Sequence, residues 1–255
     1  MLRNSFVVLR GVGPSTEHRI RSLGIHDWDG FRALAELPGI GRARKAALDS
    51  HLAALEKRLA RGDARVFWDA LPPSERWRLY PDFRRRAAFL DIETTGLDVG
   101  SVVTVVGIFA EGRYTPLIHG INLSEAAVAR ALRPARLLVT FNGGSFDLPM
   151  LRARFPSLDL GHPHIDLRHL APRAGIRGGL KKVERLLGIG RNEQIKMLCS
   201  HDAVYLWRIW ERKRSANALR LLLDYNRADT ENLRRVADEV CRRMARKASI
   251  PLHLP

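Results

Sequence analysis

Cysteine, long apolar runs and acid are what this sequence has least of. Only two cysteines occur, Cys199 and Cys241, which excludes a disulfide framework and fits a reducing cytoplasm. No run approaches the ~18 uncharged apolar residues of a membrane helix. The apolar stretch near the N-terminus, Phe6–Leu9, is too short for a signal peptide, so a cytoplasmic protein without a membrane role is expected. Acidic residues number 27 against 43 Lys and Arg, a formal net charge of +16. The excess is spread along the chain, +7 in residues 1–90 and +9 in 91–255. A field of that sign attracts polyanions such as nucleic acid. What remains is an ordinary globular composition, 45% apolar over 255 residues, enough for one large domain or a main domain with an appendage.

An internal echo opens the chain. "LRGVGPSTEHRIRSLGI" (residues 9–25) returns 28 residues later as "LPGIGRARKAALDSHLA" (37–53). In each, Gly-apolar-Gly precedes a helical segment: Gly11 and Gly13 in the first copy, Gly39 and Gly41 in the second. Such a turn leaves amide N–H groups at a helix N-terminus, able to hold a phosphate oxygen without reading a base. The pattern resembles the tandem helix-hairpin-helix family of non-sequence-specific DNA-binding modules. Arg42, Arg44 and Lys45 follow the second pair of glycines and are expected to contact nucleic acid. Glu17 and Lys45 stand where that family packs a small residue. Residues 1–60 are thus an expected nucleic-acid-binding domain. A helical cap or protein-docking module is the structural alternative.

Residues 61–86, with adjacent prolines, two tryptophans and an arginine run, read as a linker carrying one helix at its start. From Ala87 the texture changes. "AAFLDI", "SVVTVVGIFA", "RYTPLIHG" and "RLLVTFNG" are strands. "SEAAVARALRP", capped by Ser124, and "SFDLPMLRARFP", opening on Ser145, are helices. "HIDLRHLA", a short helix in "GLKKVERLLGI" and a mostly helical C-terminal third follow. Strands in a meander and then alternating with helices predict a mixed α/β sheet.

The scarce acids recur at element ends. In "FLDIETTGL", Asp91 and Glu93 are two apart on a strand end and leave the same face. Like charges there repel unless a cation lies between them, and Mg²⁺ favours all-oxygen ligands. "VTFNGGSFDLPML" places Asn142 at a strand end and Asp147 at a helix start. "LLLDYNRADTENL" sets Tyr225 and Asp229 one helical turn apart.

This ordered set resembles the DEDD exonuclease superfamily of ribonuclease H-like fold, in its tyrosine-bearing DEDDy branch. "FLDIETTGL", "FNGGSFD" and "YNRAD" match its three motifs, and with the N-terminal repeat the layout is most similar to the YprB-like subfamily. The resemblance implies a five-stranded mixed sheet flanked by helices over residues 87–246, with 247–255 a tail. It implies two divalent ions, Mg²⁺ or Mn²⁺, held by Asp91, Glu93, Asp147 and Asp229, with Asp91 bridging. Tyr225 would orient or help deprotonate the attacking water. Thr94, Thr95 and Leu97 would meet the terminal nucleotide, and Asn142 the sugar-phosphate. The implied activity is 3′→5′ trimming of single-stranded or frayed ends of DNA or RNA. The rivals are a non-catalytic nucleic-acid-binding factor and a ribonuclease H-like endonuclease.

Other residues carry less. His162, His164 and His169 around Asp166 lack the Cys or Glu of a zinc set, and Asp166 reads as structural or at the substrate edge. Trp207 and Trp210 read as core. Lys181, Lys182, Arg212, Lys213 and Arg214 read as solvated faces, some of them meeting phosphates.

Overall fold

The computed structural model describes every residue except Leu97, Val99, His253 and Pro255. It divides into two compact units, Met1–Arg84 with Cys241–Pro255, and Arg85–Val240.

In the first unit, α1 (Pro14–Ser22), α2 (Trp28–Ala33), α3 (Arg42–Ala60), α4 (Ala64–Ala70) and α5 (Leu79–Phe83) surround an aromatic core. Phe6 lies 5.4 Å from Phe31, and Trp28 stacks on Phe67 at 6.4 Å, between ring centroids. The two glycine turns are built alike. Gly11 and Gly39 take positive φ, 75° and 77°, where a Cβ would be strained, and Gly13 and Gly41 cap α1 and α3.

Residues 61–86, expected as a linker, are largely helical instead. Phe67, Leu71, Trp77, Leu79, Tyr80 and Phe83 are buried in this unit, and the tandem prolines open a 3₁₀ turn, Pro73–Arg78. Apolar side chains spaced to reach one core outweigh the Pro-Pro break. Ile250, in the expected tail, is buried as well.

Both departures from the hairpin pattern are buried charges with partners. Glu17 accepts from the Phe6 amide at 2.6 Å and pairs with Arg78 at 2.8 Å, and Arg78 also donates to Ser5 Oγ at 2.7 Å. Lys45 pairs with Asp49 at 2.6 Å, its ammonium 4.8 Å from the centre of the Phe31 ring. The expected role of Lys45 in nucleic-acid contact is therefore corrected: at 2% exposure its charge is spent inside the unit. Arg42 and Arg44 remain exposed, Arg44 donating to the Gly11 carbonyl at 3.0 Å and so joining the two repeats.

The second unit is a five-stranded sheet. Its strands are β1 (Ala87–Thr94), β2 (Val103–Ala110), β3 (Arg113–Ile118), β4 (Leu137–Thr140) and β5 (His164–Asp166), in the order β3-β2-β1-β4-β5. The β1–β2 and β2–β3 pairs are antiparallel, β1–β4 and β4–β5 parallel. Glu111 and Gly112, both at positive φ, turn β2 into β3, the two-residue hairpin whose twist suits flanking strands.

Alternation sorts the strand residues. Ala88, Leu90, Ile92, Val106 and Ile108 pack against α6 (Glu125–Leu132) and α7 (Asp147–Arg154). Val105 and Ile118 pack with Leu206 and Trp207 of α11 (Ser200–Lys213) and Leu222 and Tyr225 of α12 (Ala216–Lys247). Trp207 is thus core, as expected. Asp91 and Glu93 alternate onto the face shared with α11 and α12. Ser124 caps α6 through the Ala127 amide at 3.2 Å. Helix α7 starts at Asp147, two residues later than expected, because Asn142 at φ 70° and a Ser145-to-Asn142 hydrogen bond use those residues as a turn. The remaining helices are α8 (Leu167–Arg173), α9 (Leu180–Leu186) and α10 (Glu193–Lys196).

Candidate active site

Strand β1 carries Asp91 and Glu93 towards α12, which contributes Asp229. Ligand oxygens of these three acids all lie within 4.8 Å of one another. Asp147, the first residue of α7, stands beside this group and accepts the Ile92 amide at 3.1 Å. Tyr225 lies one turn before Asp229 on α12. The four acids and the tyrosine, 138 residues apart at the extremes, thus meet at one place because a strand end, a helix start and a long helix converge.

Burial and like charge make the cluster unfavourable on its own. Burial first, then Asp229, Glu93 and Asp147, push the Asp91 carboxyl well above its usual range, with Arg191 opposing. Glu93 is raised by burial and Asp229, and partly relieved by the Asn226 amide. Burial pushes Asp147 up to about 7, against the Ile92 amide and aided by Asp166 and Asp229. Asp229 is raised by burial while Arg191 pulls it down. An all-oxygen, anionic and largely buried donor set suits a hard divalent cation, which would offset this repulsion. The residues therefore fit Mg²⁺ or Mn²⁺. Among the described residues this is the one metal-capable group, so the histidines near Asp166 do not form another.

Several residues that hold the acids were missed in the sequence. Asn226 donates to Asp91 Oδ2 at 2.9 Å and reaches Glu93 Oε1 at 3.5 Å, and accepts from the Tyr114 hydroxyl at 2.8 Å. It fits only because Gly107, directly across from Asp91 in the register, has no side chain: a Cβ there would lie 1.9 Å from Asn226 Oδ1. Arg191 pairs with Asp229 and, through two nitrogens at 2.7 and 2.8 Å, with the buried Glu184. Glu184 also accepts from Asn232 at 2.9 Å. Asn226 had a signal, since it is three residues before Asp229 and shares its helix face. Arg191 had none, because its partners are distant in sequence.

Tyr225 is buried, and burial followed by the Asp229 and Glu93 charges holds its phenol in the protonated form, with Ser200 opposing. The Lys181 ammonium lies 4.8 Å from the centre of its ring and the Arg191 guanidinium 5.6 Å.

Asp166 organises the opposite edge. It accepts the Asn142 amide at 2.7 Å and the Gly144 amide at 3.0 Å, and His164 bonds the Thr140 hydroxyl at 2.8 Å. The turn leading to Asp147 is thereby fixed, with the Asn142 side chain exposed. Beyond Glu93 the register of β1 shifts. The Thr95 amide donates to the Val102 carbonyl at 3.0 Å and its hydroxyl accepts from the Val102 amide at 2.9 Å. The Thr94 hydroxyl donates to the Gly96 carbonyl. Those groups are engaged within the chain and not aimed at a ligand. Leu97 lies outside the described residues.

A model of the RNase_H superfamily matches residues 88–241. No curated protein matches the sequence. Among solved structures, the chain is similar to one described as the apo form of a nuclease, at 20% identity over 66% of this chain and 79% of that one, with a TM-score of 0.48. It is similar to the EXO domain of Aedes aegypti Nibbler at 14% identity over 67% and 85%, TM-score 0.47. It also resembles the family B DNA polymerase of the archaeon Pyrobaculum calidifontis at 15% identity over 63% of this chain and 24% of that one, TM-score 0.46. The family match spans more than half of the chain and takes in β1 from Ala88 on, all four acids and Tyr225: the protein belongs to the RNase_H superfamily.

Proposed function

We propose that the protein is a metal-dependent 3′→5′ exonuclease of the DEDDy type, similar to the YprB-like subfamily. The observation that carries this reading is the gathering of Asp91, Glu93 and Asp229 within 4.8 Å, with Asp147 beside them and Tyr225 one turn from Asp229. Asp91, Glu93 and Asp229 would hold one divalent ion, and Asp91 with Asp147 a second. Such ions polarise a phosphodiester and make a bound water more acidic. Tyr225, one turn from Asp229, would orient or help deprotonate the attacking water. Asn226 and Arg191 hold the acids in place before substrate arrives. Asn142, exposed on the turn that Asp166 fixes, meets the sugar-phosphate.

The glycine turns of the first unit hold further phosphates in this reading, as a tandem helix-hairpin-helix, with Arg42 and Arg44 supplying charge. Replacing both by alanine is expected to weaken oligonucleotide binding and lower its salt slope by about 0.7 to 0.9 per lost contact. An unchanged slope assigns the repeat to protein docking or structure.

The reading itself is tested by digesting 3′- and 5′-labelled single-stranded DNA, duplex DNA and RNA with Mn²⁺. Mononucleotide release from 3′ ends, in single steps, is expected. Internal cuts would make the protein an endonuclease, and tight binding without cleavage a binding factor.

A further inference from the structure

Two cations flank the Tyr225 ring, and they are committed differently. Arg191 is held by the protein through two of its nitrogens: Nε and Nη2 pair with Glu184, and Nη2 also with Asp229, while Nη1 is buried without a partner among the described residues. With a side chain only 5% exposed, it is built in. Lys181, the second residue of α9, has an ammonium with no hydrogen bond or ion pair to any described residue. Its ammonium sits over the Tyr225 ring and is partly desolvated there, a position that lowers its affinity for its proton. A lysine stem is flexible, and the charges of Asp229, Glu184 and Glu93 act on it, yet the ammonium closes on none of them. Placement of an uncommitted cation on the aromatic residue of an anion-processing site is the arrangement expected when the anion is brought by a ligand.

We propose that Lys181 binds a phosphate oxygen of the nucleic acid at this site, with the Tyr225 ring as its platform and Arg191 positioning Asp229. This deepens the nuclease reading and rests on it for the identity of the ligand. The contact follows from charge as well as geometry. The acid cluster repels a phosphodiester, and Lys181, at the Tyr225 side, offsets that repulsion directly. The four acids order the metals, while Lys181 orders the substrate backbone.

Lys181→Met and Lys181→Arg separate a phosphate contact from a packing role. Binding of a labelled single-stranded oligonucleotide, measured by anisotropy in EDTA, is expected to weaken about tenfold in Lys181→Met, the size of one charge-assisted hydrogen bond. Its salt slope should fall by about 0.7, one contact to a single strand. Lys181→Arg should recover most of both. Affinity and slope equal to the wild type, or an equal loss in both variants, would overturn the contact. A wild-type protein that releases no mononucleotide, but whose binding slope still depends on Lys181, would overturn the nuclease reading and leave this contact standing. Wild-type activity with a slope indifferent to Lys181 would do the reverse.

Discussion

Asp91→Asn is expected to raise the melting temperature of the metal-free protein while lowering mononucleotide release about a thousandfold. The two effects share one cause. Asp91 sits among Asp229, Glu93 and Asp147, and its ionised form is disfavoured by burial and by those three charges. An asparagine keeps an oxygen for the Asn226 donor at 2.9 Å and removes the charge. The loss of activity follows from the loss of a cation ligand, since ions in such sites contribute several kcal/mol to the transition state, and each ~1.4 kcal/mol is tenfold in rate. A fall in melting temperature would sink the crowding argument, and full activity would remove Asp91 from the metal site.

The same crowding sets a pH dependence. Asp147 is raised by burial from 3.8 to about 7, so over that window the folded chain holds a proton that the unfolded chain has lost. The unfolded state binds fewer protons, and metal-free stability therefore falls as pH rises from about 4 to about 7, then levels off with respect to this group. Mg²⁺ or Mn²⁺ binds the ionised acids, so its stabilisation grows along the same window. Thermal melts with EDTA and with Mn²⁺ at roughly pH 5.5 and pH 8 should show the larger metal-induced shift at the higher pH. An equal shift at both would place the ions elsewhere.

Gly107→Ala is the second large effect, and it acts without touching a metal ligand. The strand register sets Gly107 opposite Asp91, and a Cβ would fall 1.9 Å from Asn226 Oδ1 and 3.1 Å from the Tyr114 ring. A strand backbone cannot retreat without breaking its ladder, so Asn226 must turn away and release Asp91, Glu93 and the Tyr114 hydroxyl together. Overpacking of this kind costs about 1–3 kcal/mol, and loss of an outer partner of metal ligands lowers activity about 10- to 100-fold. The double variant with Asn226→Ala has room for the new methyl group. It should regain stability but not activity, which distinguishes a lost holder of the acids from a merely damaged sheet. Equal recovery of both would assign Asn226 to packing alone.

The sequence by itself determined the parts whose signals are local. The apolar and β-branched runs of β1, β2 and β4, the Ser124 cap and the Glu111-Gly112 turn are written in neighbouring residues. The four acids and Tyr225 were legible because they lie in three short motifs, "FLDIETTGL", "FNGGSFD" and "YNRAD", that occur in the order of the family they resemble. The segment 61–86 was misread because a proline pair is a loud local signal, while burial of Phe67, Trp77 and Tyr80 depends on residues far away in the chain. Lys45 was misread for a similar reason: charge is visible in a sequence, but the Asp49 and Phe31 environment that consumes it is not. Only the tertiary structure decided what surrounds the acids. Asn226 reaches them across 135 residues, Arg191 reaches Asp229 across 38, and the space for Asn226 is a missing side chain on a different strand. Such contacts are set by how the sheet and α12 pack, and no short window of residues contains both partners.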